Sequence, residues 1–181
     1  MIWSMRCRLL DLWRQRRKRY KMTITDMFGD DRPRPPDFFK ITTDKKLAGI
    51  LDYRWQEISK CLQVQAHLAG IIIMGSILEG VLLAVVRRFP ERALKATSAP
   101  KDKSGKTRGF DKWTLNDLID VAHDCGWIKQ EAREFSHTLR RYRNLVHIFE
   151  QKERDEMPDE QSCEICWEVV RTALYDLEMA G

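Results

Sequence analysis

Apolar positions recur every three or four residues over most of the chain, a period that predicts helices and not strands. Between Lys45 and Val64, the residues Leu47, Ile50, Leu51, Trp55, Ile58 and Leu62 mark one side of a first helix. Leu68 to Val86 differs: Glu79 is the single charge in nineteen residues, so this segment is apolar all round. Its length approaches the roughly 30 Å of a bilayer core, which admits a small membrane-anchored protein held by residues 68–86. Glu79 near the middle, Ser76, and the glycines Gly70, Gly75 and Gly80 favour the alternative, the central helix of a bundle. Pro90 limits this helix, and Thr97 to Gly109 is a polar connecting loop. Thr114 offers an N-cap for a short helix carrying Leu115, Leu118, Ile119 and Ala122, which stops near Gly126. From about Lys129 to Lys152, Phe135, Leu139, Tyr142, Val146 and Phe149 are spaced 4, 3, 4, 3, the seam of a packed helix. Asp159 and Glu160 suit the start of a last helix with Ile165, Val169, Val170, Ala173, Leu174 and Leu177. The pattern predicts an all-α fold, a single bundle of about five helices.

Composition narrows this picture. A chain of 181 residues, 43% hydrophobic, supports one core. The formal charge is +5, but residues 1–21 hold eight Lys or Arg against Asp11 alone, so that leader carries +7 and the remainder −2. A basic balance confined to a leader excludes any argument that the folded part presents a broad nucleic-acid surface. The leader reads as a tail, as a basic amphipathic helix for a membrane surface or RNA with Ile2, Trp3, Met5, Leu9, Leu10, Leu12 and Trp13 as its apolar part, or as a start-site artefact, since Met22 begins a plausible start of its own. Residues 22–44 read as a linker around Gly29 to Pro36, and 45–181 as the domain. Five scattered cysteines, Cys7, Cys61, Cys125, Cys163 and Cys166, suit a reduced, cytoplasmic setting. The Cys163/Cys166 pair lacks a second CxxC or a suitably spaced His, so neither a metal nor another cofactor is expected.

One segment carries candidate chemistry: Arg140-Arg141-Tyr142-Arg143-Asn144-Leu145-Val146-His147. Guanidinium groups fork onto phosphate oxygens and imidazole exchanges protons near neutral pH, so together they suit phosphodiester chemistry. On a regular helix, Ser136, Arg140, Arg143 and His147 project at about 80° to 140° from the apolar seam, as a polar shoulder. Asn144 lies at about 180° and Arg141 near 240°, while His137 falls near 200°, toward solvent. His137, His67 and His123 have no comparable surroundings in sequence. A structural role is equally open, with Arg143 pairing to Glu79 on the central helix and His147 satisfying a carbonyl.

Arg143-Asn144-Leu145-Val146-His147 resembles the motif of HEPN-type domains, helical bundles marked by an Arg, four to six intervening residues and a His, often with a polar residue after the Arg. Ile71 to Leu83 and Trp113 to Ile119 resemble the elements that precede that motif, and the likeness spans about residues 45–178. Here Arg143 precedes His147 by three intervening residues, Arg141 by five and Arg140 by six, with Tyr142 at the four-residue spacing. The resemblance implies a metal-independent endoribonuclease of toxin or defence type, working on RNA as a homodimer with a composite site, and in some cases controlled by an antitoxin or other protein partner. His147 would be the acid/base, Arg143 and Arg140 the phosphate holders, and Asn144, Glu79, Ser136 and Tyr142 supporting residues. Other members have lost catalysis, so the same likeness also implies a dimerisation or interaction module.

Overall fold

In the computed structural model the described residues are 36–180, and the expectations for the leader and most of the linker lie outside them. Eight α-helices follow in order: α1 Phe38–Ile41, α2 Lys45–Gln63, α3 His67–Arg88, α4 Pro90–Lys95, α5 Leu115–Asp124, α6 Gln130–Arg143, α7 Ile148–Arg154 and α8 Glu160–Ala180. Three-residue 3-10 turns stand at Phe110–Lys112 and Asn144–Val146. The all-α class expected from periodicity is observed. Five of the helices have ten or more residues and build the bundle; α1, α4 and α7 are short additions that periodicity does not resolve.

Local chemistry sets several helix ends. Asp44 caps α2 by accepting from the amides of Lys46 and Leu47, and Thr114 and Asp117 form a reciprocal capping box at α5. Asp159 accepts from the amide and hydroxyl of Ser162 at the start of α8. The first turn of α6 has no side-chain cap of its own, but the buried Asp176 of α8 accepts from the Lys129 amide at 3.1 Å. A carboxylate there also complements the positive end of the helix dipole. The polar loop is ordered locally by Asp102, whose Oδ1 accepts from Ser104 and from the Lys106 amide beneath an antiparallel bridge between Lys101 and Thr107.

The apolar α3 occupies the centre and packs against α2, α5, α6 and α8. It is long and apolar enough to cross a membrane by length and composition, yet Ile71, Met74, Ile77, Leu78, Val81 and Val86 are fully buried inside the bundle. Below it, Trp55 of α2 lies 4.5 Å from Trp167 of α8, and Phe38 meets Trp55 edge-on. Phe38 and Ile41 are buried, so the packed domain begins inside the stretch that composition reads as linker. Not every residue of the α2 seam faces inward: Ile50 is 44% exposed.

The tightest approach is between α3 and α6. A Cβ on Gly75 would stand 2.7 Å from Cγ and 3.0 Å from Cβ of Arg143, so the arginine stem lies directly over bare α3 backbone. Those are the near atoms of the side chain, which cannot swing away without moving α6. Gly75→Ala is therefore expected to destabilise by about 1–3 kcal/mol despite the better helix propensity of Ala. Gly49, exposed in the middle of α2 with open space around it, is the control. There Ala should add about 0.5–1 kcal/mol. Urea unfolding of both variants checks the pair; equal shifts of the same sign would refute the close contact.

Candidate functional site

Arg143 is the last residue of α6, and its Nη2 donates to Glu79 Oε2 at 3.0 Å. The pair foreseen as the structural alternative is therefore formed. Glu79 is not deeply buried, however: the two side chains are 34% and 39% exposed, so water screens the pair and its own contribution is about 0–1 kcal/mol. Position matters more than that energy. Glu79 follows Gly75 by one helical turn on α3, so one residue admits the arginine stem and the other receives its head.

The single regular helix expected from Lys129 to Lys152 is not observed. α6 stops at Arg143, Asn144–Val146 tightens into a 3-10 turn, and His147 is extended at φ −83°, ψ 106° before α7 begins. The tighter turn changes the inward register, so Leu145 is buried in place of Val146, while Val146 and Phe149 are 45% and 79% exposed. The seam holds for Leu139 and Tyr142, is half-buried at Phe135, and ends there. A shoulder computed from regular helical phase consequently does not extend to His147. The His147 imidazole is exposed and makes no hydrogen bond or ion pair with the described residues, while its backbone bridges the break: N donates to Asn144 O and O accepts from Gln151 N.

The other candidates separate into different environments. Ser136 is fully buried and its hydroxyl has no partner among the described residues, so it belongs to the core and not to a polar shoulder. Tyr142 is buried, and Asn144 is half-buried at the end of α6. Arg141 pairs with Glu156 at 2.8 Å and lies 5.6 Å over the Tyr142 ring, consistent with its phase away from the others. Arg140 is half-buried, with a buried Nε that finds no partner and a guanidinium with no ion pair among the described residues.

A second cluster is absent from the sequence expectations. Asp120 Oδ1 accepts from Arg133 Nε at 2.8 Å and Nη2 at 2.7 Å, and lies 3.1 Å from His137 Nε2; Asn116 donates to Oδ2 at 3.1 Å. His137 thus has a specific constellation, contrary to the expectation from α6 alone, because its partner comes from α5. One signal was available: Arg133 and His137 are four apart and share a face. No nucleophile joins the cluster, so its evident work is to tie α5 to α6.

Burial pushes the Asp120 carboxyl up, but hydrogen bonds from Arg133 and His137 outweigh it and hold the group below its ordinary value. The cysteines shift the other way. Burial, with neighbouring Cys61 and Glu164, pushes the Cys163 thiol up to about 12, and burial beside Cys163 pushes Cys166 well above the usual range. Neither can supply thiolate at neutral pH, and among the described residues no group of three or more His, Cys, Asp or Glu could hold a metal. Compared with protein-family models, with curated proteins and with solved structures, the chain finds no match.

Because the folded Asp120 carboxyl titrates below its unfolded value of about 3.9, its stabilising contribution is present at neutral pH and is lost as pH falls through the folded value. Asp120→Asn should lower Tm at pH 7, and the gap from the unsubstituted chain should narrow as pH falls through the lowered folded value. A gap that persists unchanged at low pH would assign the effect to packing and not to charge.

Proposed function

We propose that the described domain is a HEPN-like interaction module in which the Arg143 region braces the bundle and α7 is a docking element. The observation that carries this is α7 itself: none of its seven residues is buried. A helix so short is unstable alone, and the bundle gives it little to pack on. It nonetheless displays Ile148 and Phe149 at 79% exposure each, with Val146 before it and Met157, 81% exposed, after it. Covering Ile148 and Phe149 would contribute about 1.5–3 kcal/mol apiece. The Arg143–Glu79 pair fits the same reading, since a guanidinium already neutralised by a carboxylate is poorly placed to stabilise a phosphorane.

A second reading, the metal-independent endoribonuclease, is supported by two groups without partners among the described residues, the Arg140 guanidinium and the exposed His147 imidazole. In that chemistry His147 takes the proton of the ribose 2′-OH as its oxygen bonds to the adjacent phosphorus, the bond from phosphorus to the 5′-oxygen breaks and that oxygen takes a proton from the acid, giving a 2′,3′-cyclic phosphate and a 5′-hydroxyl while Arg140 holds the charge. A second copy would provide the second acid/base.

The two readings separate when purified full-length chain is incubated with mixed RNA in EDTA beside His147→Ala, with Tm measured on both and on Glu79→Gln. The interaction reading expects no cleavage by either protein, an unchanged Tm for His147→Ala and a lower one for Glu79→Gln. Cleavage that disappears in a folded His147→Ala overturns it in favour of the nuclease.

A further inference from the structure

We infer that the surface around α7 binds a basic amphipathic helix. This rests on the interaction reading above and adds the chemistry of the partner. Taking Ile148 as zero, Phe149, Lys152 and Glu153 fall within about 140° on one face of α7, and all four are exposed. Met157 extends the apolar part: Gln151 Nε2 donates to its Sδ at 3.0 Å, which holds the residue against α7, and an unbranched thioether adapts to varied apolar surfaces.

The rim is acidic. Residues 146–160 hold six Asp or Glu against Lys152 and Arg154, a formal −4. Glu150 is taken up by Arg154 and Glu156 by Arg141. Glu153, Asp155 and Glu160 stay exposed with no ion pair among the described residues. Exposed Ile148, Phe149 and Met157, in a segment whose free carboxylates at Glu153, Asp155 and Glu160 outnumber Lys152, its one cation without an ion pair among the described residues, complement apolar side chains flanked by Lys and Arg. It opposes the other candidate occupants for one reason: a second copy presenting the same face brings −4 onto −4, and RNA or an anionic lipid surface is likewise negative. A helix is the form that places apolar residues on one side and cations on the other at the width of so small a patch.

The test is fluorescence anisotropy of a dye-labelled Leu/Lys amphipathic helix of about 18 residues, five turns, titrated with the full chain, beside a Leu/Glu peptide of the same pattern. The basic peptide should bind, more weakly as salt rises, and the acidic one should not. Ile148→Ser with Phe149→Ser, and separately Glu153→Lys with Asp155→Lys, should each weaken binding at least about tenfold. Glu91→Lys with Asp111→Lys, the same charge change at exposed positions elsewhere, should leave it within about twofold. Equal binding by the chain and its Ile148→Ser/Phe149→Ser variant overturns the inference, as does preference for the acidic peptide or for an RNA oligonucleotide. Sedimentation of the same proteins tells the two failures apart. If the basic peptide does not bind but the chain self-associates and the serine variant does not, the occupant is a second copy and only the partner chemistry fails. If neither binding nor self-association responds to Ile148 and Phe149, the interaction reading fails with it.

Discussion

The close approach of α6 to α3 at Gly75 is the constraint on which the rest of the arrangement depends. Helix axes normally stand 8–10 Å apart, set by the side chains between them. At Gly75 there is no side chain on the α3 side, and the stem of Arg143 fills the place where a Cβ would be. The arginine head then meets Glu79 one turn along. This solves a problem posed by composition: between Leu68 and Val86 the one charge on α3 is Glu79, and α6 supplies a cation from its last turn, where the helix dipole also favours one. The ion pair is half-exposed and weak in itself, whereas the packing under it is specific.

Ending α6 at this contact is followed at once by a change of register. Leu145 turns into the core through the 3-10 segment, and the chain leaves in an extended residue, His147. A helix that had continued would have carried Val146 and Phe149 into the seam. Because the register changes instead, the same apolar residues are delivered to solvent, together with Ile148. The exposed face of α7 thus follows from the change of register between Arg143 and His147.

The architecture was legible in sequence wherever the signal was local. Helical period, the Thr114 N-cap and the start of α8 at Asp159 and Glu160 are contained within a few residues each, and the structure carries them. The apolar stretch of α3 reads as a bundle centre because Glu79, Ser76 and three glycines fit poorly in hydrocarbon, and ten of the 22 residues of the helix are buried in the bundle. The break at Asn144 was not legible: 4-3-4-3 spacing continues smoothly to Phe149, and nothing in Asn-Leu-Val forbids a helix. Tertiary burial of Leu145 overrides the pattern. The Asp120 cluster was hidden for a related reason, since its acid and its bases lie on different helices, and phase within α6 placed His137 toward solvent. Of the candidate site, the Arg143–Glu79 pair was deducible, because a lone carboxylate in an apolar helix needs a cation and the motif segment had one to offer.

Charge distribution then bears on how the motif segment can act. Along α6, Arg133 is taken by Asp120, Arg141 by Glu156 and Arg143 by Glu79, which leaves Arg140 as the arginine of that helix without a carboxylate partner among the described residues. An RNA backbone approaching His147 would therefore meet one uncommitted guanidinium beside a segment of formal −4. Affinity for nucleic acid grows with the number of phosphates neutralised, so Arg140 and Lys152 against that background give little. For a cationic partner the same inventory is favourable twice over: the arginines most able to repel it are already paired, and the carboxylates most able to attract it are not.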